Sequence, residues 1–210
     1  MLEKTLENLL KTALLPIGKT MYIYGGGWNE KDTGAGIEAM TLGIDPKWAE
    51  FAQKQDSSYN FKDYDYKQNK EYIHLGLDCS GYIGWLLYNI FQDKGYVDFS
   101  RKIANNLATE NKGKVKKAKY ITEYKAGDIM SGESVSHVWL SLGPCNDGSV
   151  VILHSSPSGV HISGTPTPKG IENSHAIDLA NKYMDKYYPV WNKKYPVKPF
   201  DYLGKYSQFR

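Results

Sequence analysis

The sequence predicts an α+β protein, and three observations carry that expectation. Apolar residues recur at helical spacing near the N-terminus and again from Tyr82 to Phe91. From Ala126 to Ser163 the period changes to short alternating or continuous apolar runs of strand type. The links between those runs are short, which suits an antiparallel meander better than crossover helices. At 210 residues the chain fits one domain with insertions. Residues 1–20 read as an N-terminal helical region, 29–73 as an insertion and 171–210 as a C-terminal extension.

In order along the chain, Leu2, Leu6, Leu9, Leu10, Ala13 and Leu14 predict an amphipathic helix of about 14 residues, ended by Pro16 and Gly18. Met21 to Trp28 is an aromatic run broken by Gly25, Gly26 and Gly27. Three successive glycines let the backbone bend sharply or approach another chain closely, so this is a turn. Its spacing is not that of a phosphate-binding loop. Asn29 to Ile73 is polar, aromatic and irregular, with one short helix expected at Pro46 to Gln55. A loop region of that length is usually functional or mobile, and it is read as lying beside the site. Helices follow at Cys79 to Phe91 and around Ser100 to Glu110. Strands are expected at Ala126 to Met130, Ser136 to Gly143, Ser149 to His154 and Gly159 to Ser163, and a terminal helix at Asn181 to Tyr188. The tail from Pro189 is expected to cross the surface or add an edge strand.

Composition narrows the function classes. Hydrophobic residues at 41% and charged residues at 23% are those of a globular chain, not a disordered one. Seventeen Tyr and five Trp suggest a surface suited to sugars or peptides, or simply a Tyr-rich core. A net charge of +3 is too small to imply a nucleic-acid partner. Lys112, Lys114, Lys116, Lys117 and Lys119 read as a solvated loop, the other reading being weak attraction to an anionic polymer such as a bacterial wall. Two cysteines 66 positions apart make neither a disulfide framework nor a closely spaced zinc motif. No apolar run approaches the roughly 20 residues of a membrane span, and Glu3, Lys4, Glu7 and Lys11 interrupt any signal-peptide core.

The chemistry is concentrated in Gly76-Leu77-Asp78-Cys79-Ser80-Gly81. Asp78 or Ser80 is a natural cap for the helix that follows, which puts the Cys79 thiol at its positive end. Thiol pKa values fall to roughly 3.5 to 7.5 where such a helix start has a cationic neighbour. Taken alone, a cysteine there is most often a small buried hydrophobe. Two histidines change the balance. His137 begins one strand and His154 ends the next apolar run, so antiparallel pairing brings them together at one sheet edge. A thiol, a base and a group to orient the base form the nucleophilic arrangement. The same three residues would also make a borderline-soft zinc set, the lesser reading. Cys145 sits in a hairpin turn with no helix start behind it, His74 is within reach of Cys79, and His161 and His175 lack motif context.

Asp78-Cys79-Ser80-Gly81-Tyr82, Ala126-Gly127-Asp128-Ile129, His137-Val138-Trp139-Leu140-Ser141-Leu142-Gly143 and Val151-Ile152-Leu153-His154, with Tyr22-Ile23-Tyr24-Gly25-Gly26 upstream, resemble the NlpC-type (NlpC and p-sixty) cell-wall cysteine peptidases. The resemblance runs from Tyr22 to Ser163. It implies a papain-like fold, with the nucleophile helix packed on a central antiparallel sheet, and hydrolysis of an amide bond in peptidoglycan stem peptides between D-glutamate and the diamino acid. It implies Cys79 as nucleophile, His137 as general base and acid, and His154 as orienting residue, with Tyr24, Trp28, Asp78 and Ser80 in reach of substrate. No cofactor or metal is implied. The partners would be muropeptides, met by a monomer in an extracytoplasmic setting or in cytoplasmic muropeptide recycling. The separation of about 50 residues between the Gly-Gly element and Cys79 departs from the family pattern. A non-catalytic module that binds wall peptides or glycans is the alternative.

Overall fold

The computed structural model describes residues 3–27, 41–97, 99, 101–200 and 203–210. The fold is α+β, with one six-stranded antiparallel sheet and several helices. The chain forms two compact units. Residues 1–99 group with Ser155–His161, and Ser100–His154 group with Ile162–Arg210.

In the first unit, helix α1 (Leu6–Leu14) begins where Thr5 accepts a hydrogen bond from the Asn8 amide, 3.2 Å away. It is therefore nine residues long rather than about 14, because the capping threonine, not the first leucine, sets its start. Helix α2 (Pro46–Gln53) is capped by Asp45 and has proline in its first turn. Helix α3 (Cys79–Phe91) is buried on most of its circumference. The Tyr82 hydroxyl donates to the Ala13 carbonyl at the end of α1 (2.7 Å), and Trp85 and Asn89 hold the chain at Thr41 and Gly43.

Between α2 and α3 the structure is more regular than the irregular segment expected from sequence. Two 3-10 turns, Phe61–Tyr64 and Lys70–Leu75, start at Asn60 and Asn69, whose side chains accept the amide two residues on. Tyr64 packs against Phe51, Tyr59 and Tyr72 with ring centroids 4.9 to 5.6 Å apart, so half-buried tyrosines of this segment form a local packed cluster.

The second unit contains helix α4 (Arg101–Thr109) and strands β1 (Val115–Lys116), β2 (Ile129–Gly132) and β3 (Val138–Pro144). Strands β4 (Val150–Ser156) and β5 (Gly159–Gly164) follow, with Ser155–His161 counted in the first unit, then helices α5 (His175–Tyr187) and α6 (Pro189–Lys194), and strand β6 (Tyr206–Phe209). The order in the sheet is β1-β6-β2-β3-β4-β5. The expected meander β2 to β5 is present. Its β3–β4 register shifts at a bulge between Ser141 and Gly143. Both faces of β3 are covered, since Val138, Trp139, Leu140 and Ser141 are all buried. On one face Met130, Trp139, Val150, Ile152, Leu203 and Tyr206 form a core cluster.

The C-terminal region differs most from expectation. β6 is an interior strand, paired antiparallel with β2 on one side and β1 on the other, and the lysine-rich segment supplies the edge. Arg210 locks it in place, because its guanidinium donates to both Asp128 carboxylate oxygens (2.6 and 2.8 Å) while Gln208 donates to Asp128 at 2.8 Å. The terminal helix starts at His175 and not at Asn181. Ser174 caps it by accepting the Ile177 amide, and its hydroxyl also donates to the Thr165 carbonyl. Among the described residues no helix is long and apolar enough to cross a membrane.

Candidate functional site

Cys79 is the first residue of α3 and is half-buried. Asp78 caps the helix by accepting the Gly81 amide at 2.7 Å and the Ser80 hydroxyl at 3.0 Å on one carboxylate oxygen. Its other oxygen accepts the Gly25 amide at 3.0 Å, and its own amide donates to the Gly26 carbonyl at 3.0 Å. One carboxylate thus ties the glycine turn at Tyr24–Gly27 to the helix start that carries the thiol. Asp78 is 2% exposed, so its carboxylate serves this tie. Gly25 and Gly27 both have φ of +82°, where a side chain is strained. A Cβ on Gly81 would collide with the Gly26 carbonyl oxygen, and one on Gly26 with the Gly76 carbonyl oxygen. The three glycines and Gly81 therefore let two backbone segments pass in contact, which is what the sequence suggested for this turn.

Aromatic side chains surround the turn. Tyr24 is 40% exposed and stacks on Tyr66 with centroids 6.0 Å apart. Tyr22, two residues earlier, packs edge-on against Phe61 at 5.1 Å, and its carbonyl accepts the Tyr59 hydroxyl. Burial, reinforced by the Asp78 carboxylate, pushes the Tyr22 phenol well above its ordinary value, which keeps it protonated. Just ahead of Cys79, the Leu77 carbonyl accepts the Ser155 hydroxyl at 2.7 Å.

The second unit holds the histidine pair. His137 stands immediately before β3, its amide bonded to the Val135 carbonyl and its carbonyl accepting the Gly132 amide. His154 lies on β4 with 2% exposure. His137 Nε2 is 3.1 Å from His154 Nδ1, so one ring donates to the other. The rings meet edge-to-face, and Phe200 packs on both, with centroids at 4.6 Å from His137 and 4.7 Å from His154.

Comparison with protein-family models, with curated proteins and with solved structures finds no significant match to this chain.

Of the residues singled out from sequence, Tyr24, Asp78, Cys79 and Ser80 come together in the first unit, and His137 and His154 in the second. Trp28 lies outside the described residues. His161 is buried and bonded to Gly159 and Ser156, His175 is exposed at the start of α5, and burial pushes the Cys145 thiol upward. Sequence reasoning missed Phe200, which has no motif and lies 46 residues beyond His154. It also missed Tyr22 as a partner of the helix start, although the alternation of Tyr22 and Tyr24 marked both.

Proposed function

We propose that the chain is a papain-like cysteine amidase of the NlpC type, acting on peptidoglycan stem peptides. The observation that carries the reading is the His137–His154 contact, a base held by an orienting ring in a chain whose other distinctive polar element is a capped cysteine at a helix start. His137 Nδ1 takes the Cys79 proton, and the thiolate attacks the substrate carbonyl. The Cys79 backbone amide at the start of α3 is oriented toward developing negative charge, as first-turn amides are. The imidazolium protonates the leaving amine, and water, deprotonated by His137, releases the acyl group and restores the thiol. His154 holds the His137 ring and its tautomer throughout. Ser80, next to Cys79 in the chain, and Tyr24, in the turn that Asp78 ties to the helix start, are the candidate substrate contacts, and Trp28 remains one on the strength of the resemblance.

The test is mass spectrometry of a muropeptide mixture incubated with the full chain. Release of an L-Ala-D-Glu fragment is expected, with no turnover by Cys79→Ala or His137→Ala. Turnover by a pure Cys79→Ala sample overturns the assignment. Binding without cleavage, with Cys79 no more reactive than Cys145, establishes a non-catalytic wall-binding module instead.

A further inference from the structure

The two units carry opposite charge. The second unit has 16 Lys and Arg against 9 Asp and Glu, a net of +7, and the first has 10 against 14, a net of −4. A modest overall +3 therefore hides a strongly basic half, and such asymmetry is a footprint of polyanion binding. In that half, a groove of about 740 Å³ is lined by Asn105 of α4, Lys117 just after β1, Glu133 and Ser134 just after β2, and Lys205 and Ser207 at the start of β6. The volume is that of a ligand site.

The groove's geometry is built. The Glu133 carboxylate accepts the Ala118 amide at 2.8 Å and the Ser207 hydroxyl at 2.5 Å, and the Glu133 amide donates to the Lys205 carbonyl at 2.9 Å. These bonds fix the backbones that present Lys117 and Lys205. Lys112 and Lys125 pair with Glu110 and Glu123, whereas among the described residues no carboxylate pairs with Lys117. Edge protection needs lysines on or flanking β1, a role Lys116 on the strand and Lys114 just before it fill. It does not account for Lys117 and Lys205 facing one concavity.

We infer that this groove seats a stretch of an anionic glycan-type polymer, a sugar or polyol chain bearing phosphate or carboxylate at short intervals. The lysines meet the charges, and Asn105 and Ser134 offer hydrogen bonds to hydroxyls. Among the described residues no aromatic ring lines the groove, so nucleic-acid bases would find no described ring to stack on. The site shares no residue with the proposed catalytic set, and it holds or fails independently of that chemistry.

Fluorescence anisotropy with labelled poly(glycerol phosphate) chains and the full protein tests it. At low salt the native chain binds, and raising the salt weakens binding. Lys117→Glu/Lys205→Glu loses at least tenfold in affinity, whereas Lys169→Glu/Lys193→Glu, with the same change of net charge in the same unit, loses less than twofold. Neutral dextran does not bind. The inference is overturned if the two double variants weaken equally, if the native chain does not bind at low salt, or if single-stranded DNA of matched charge binds as tightly. Thermal melts check the fold, and Lys117→Gln/Lys205→Gln repeats the comparison should the charge reversal melt early.

Discussion

His161, on strand β5, makes the acid stability of one residue measurable. The ring is 6% exposed, its Nδ1 lies 3.1 Å from the Gly159 carbonyl and its Nε2 3.4 Å from the Ser156 hydroxyl. The neutral tautomer with the proton on Nδ1 satisfies both, donating to the carbonyl and accepting from the hydroxyl. Burial lowers its pKa from 6.5 to about 4. Between those values the unfolded chain binds a proton that the folded chain refuses. The stabilisation is thus complete above pH 6.5 and is lost as pH falls toward 4. At roughly 1.4 kcal/mol for each pH unit below 6.5, the loss is about 2 kcal/mol by pH 5 and about 3 kcal/mol by pH 4. Urea unfolding of the native chain and of His161→Asn, whose amide keeps the donor to Gly159 without titrating, is measured from about pH 7.5 to about pH 4. Asn costs packing at every pH, but the gap between the two proteins should narrow by about 3 kcal/mol across the window. Parallel profiles would refute the reasoning, because the carboxylates common to both proteins cancel.

Gly81→Ala drives a methyl into the Gly26 carbonyl, a rigid neighbour, and should cost about 3 kcal/mol or more in a denaturant titration; a cost below about 1 kcal/mol would show that the two segments separate easily. Arg210→Ala leaves the buried Asp128 carboxylate with only Gln208 and the Lys125 amide, and should destabilise the chain by about 2 to 3 kcal/mol, with Arg210→Lys recovering only part of it. Phe200→Ala removes the ring packed on both histidines and, under the proposed mechanism, should lower kcat about tenfold with little change in KM. A thiol reagent at mildly acidic pH should label Cys79 much faster than Cys145, whose thiol burial pushes upward; equal rates would count against an activated nucleophile.

Where the information was local, residue order was enough. The switch from helical to strand spacing located α3 and the meander to within a few residues, because burial on one face writes its period into the chain. Asp78 as a cap and Gly25 to Gly27 as a turn of close approach follow from side-chain reach and backbone freedom alone. The meeting of His137 and His154 needed only the inference that consecutive strands pair.

What the tertiary structure decided involves partners far apart in sequence. The tail became the interior strand β6 because Arg210 and Gln208 reach Asp128 some 80 residues earlier, a pairing that no local pattern announces. Phe200 joined the histidines by the same kind of return. The tyrosines from Tyr59 to Tyr72 became a packed cluster because 3-10 turns capped by asparagine aimed them at one another. Sequence by itself singled out a thiol and two imidazoles able to serve as nucleophile, base and orienter, since those capacities are properties of side chains. Only the folded chain decided that Asp78 ties the glycine turn to the helix start and that Lys117 and Lys205 face one groove, because direction and burial are set by packing between distant segments.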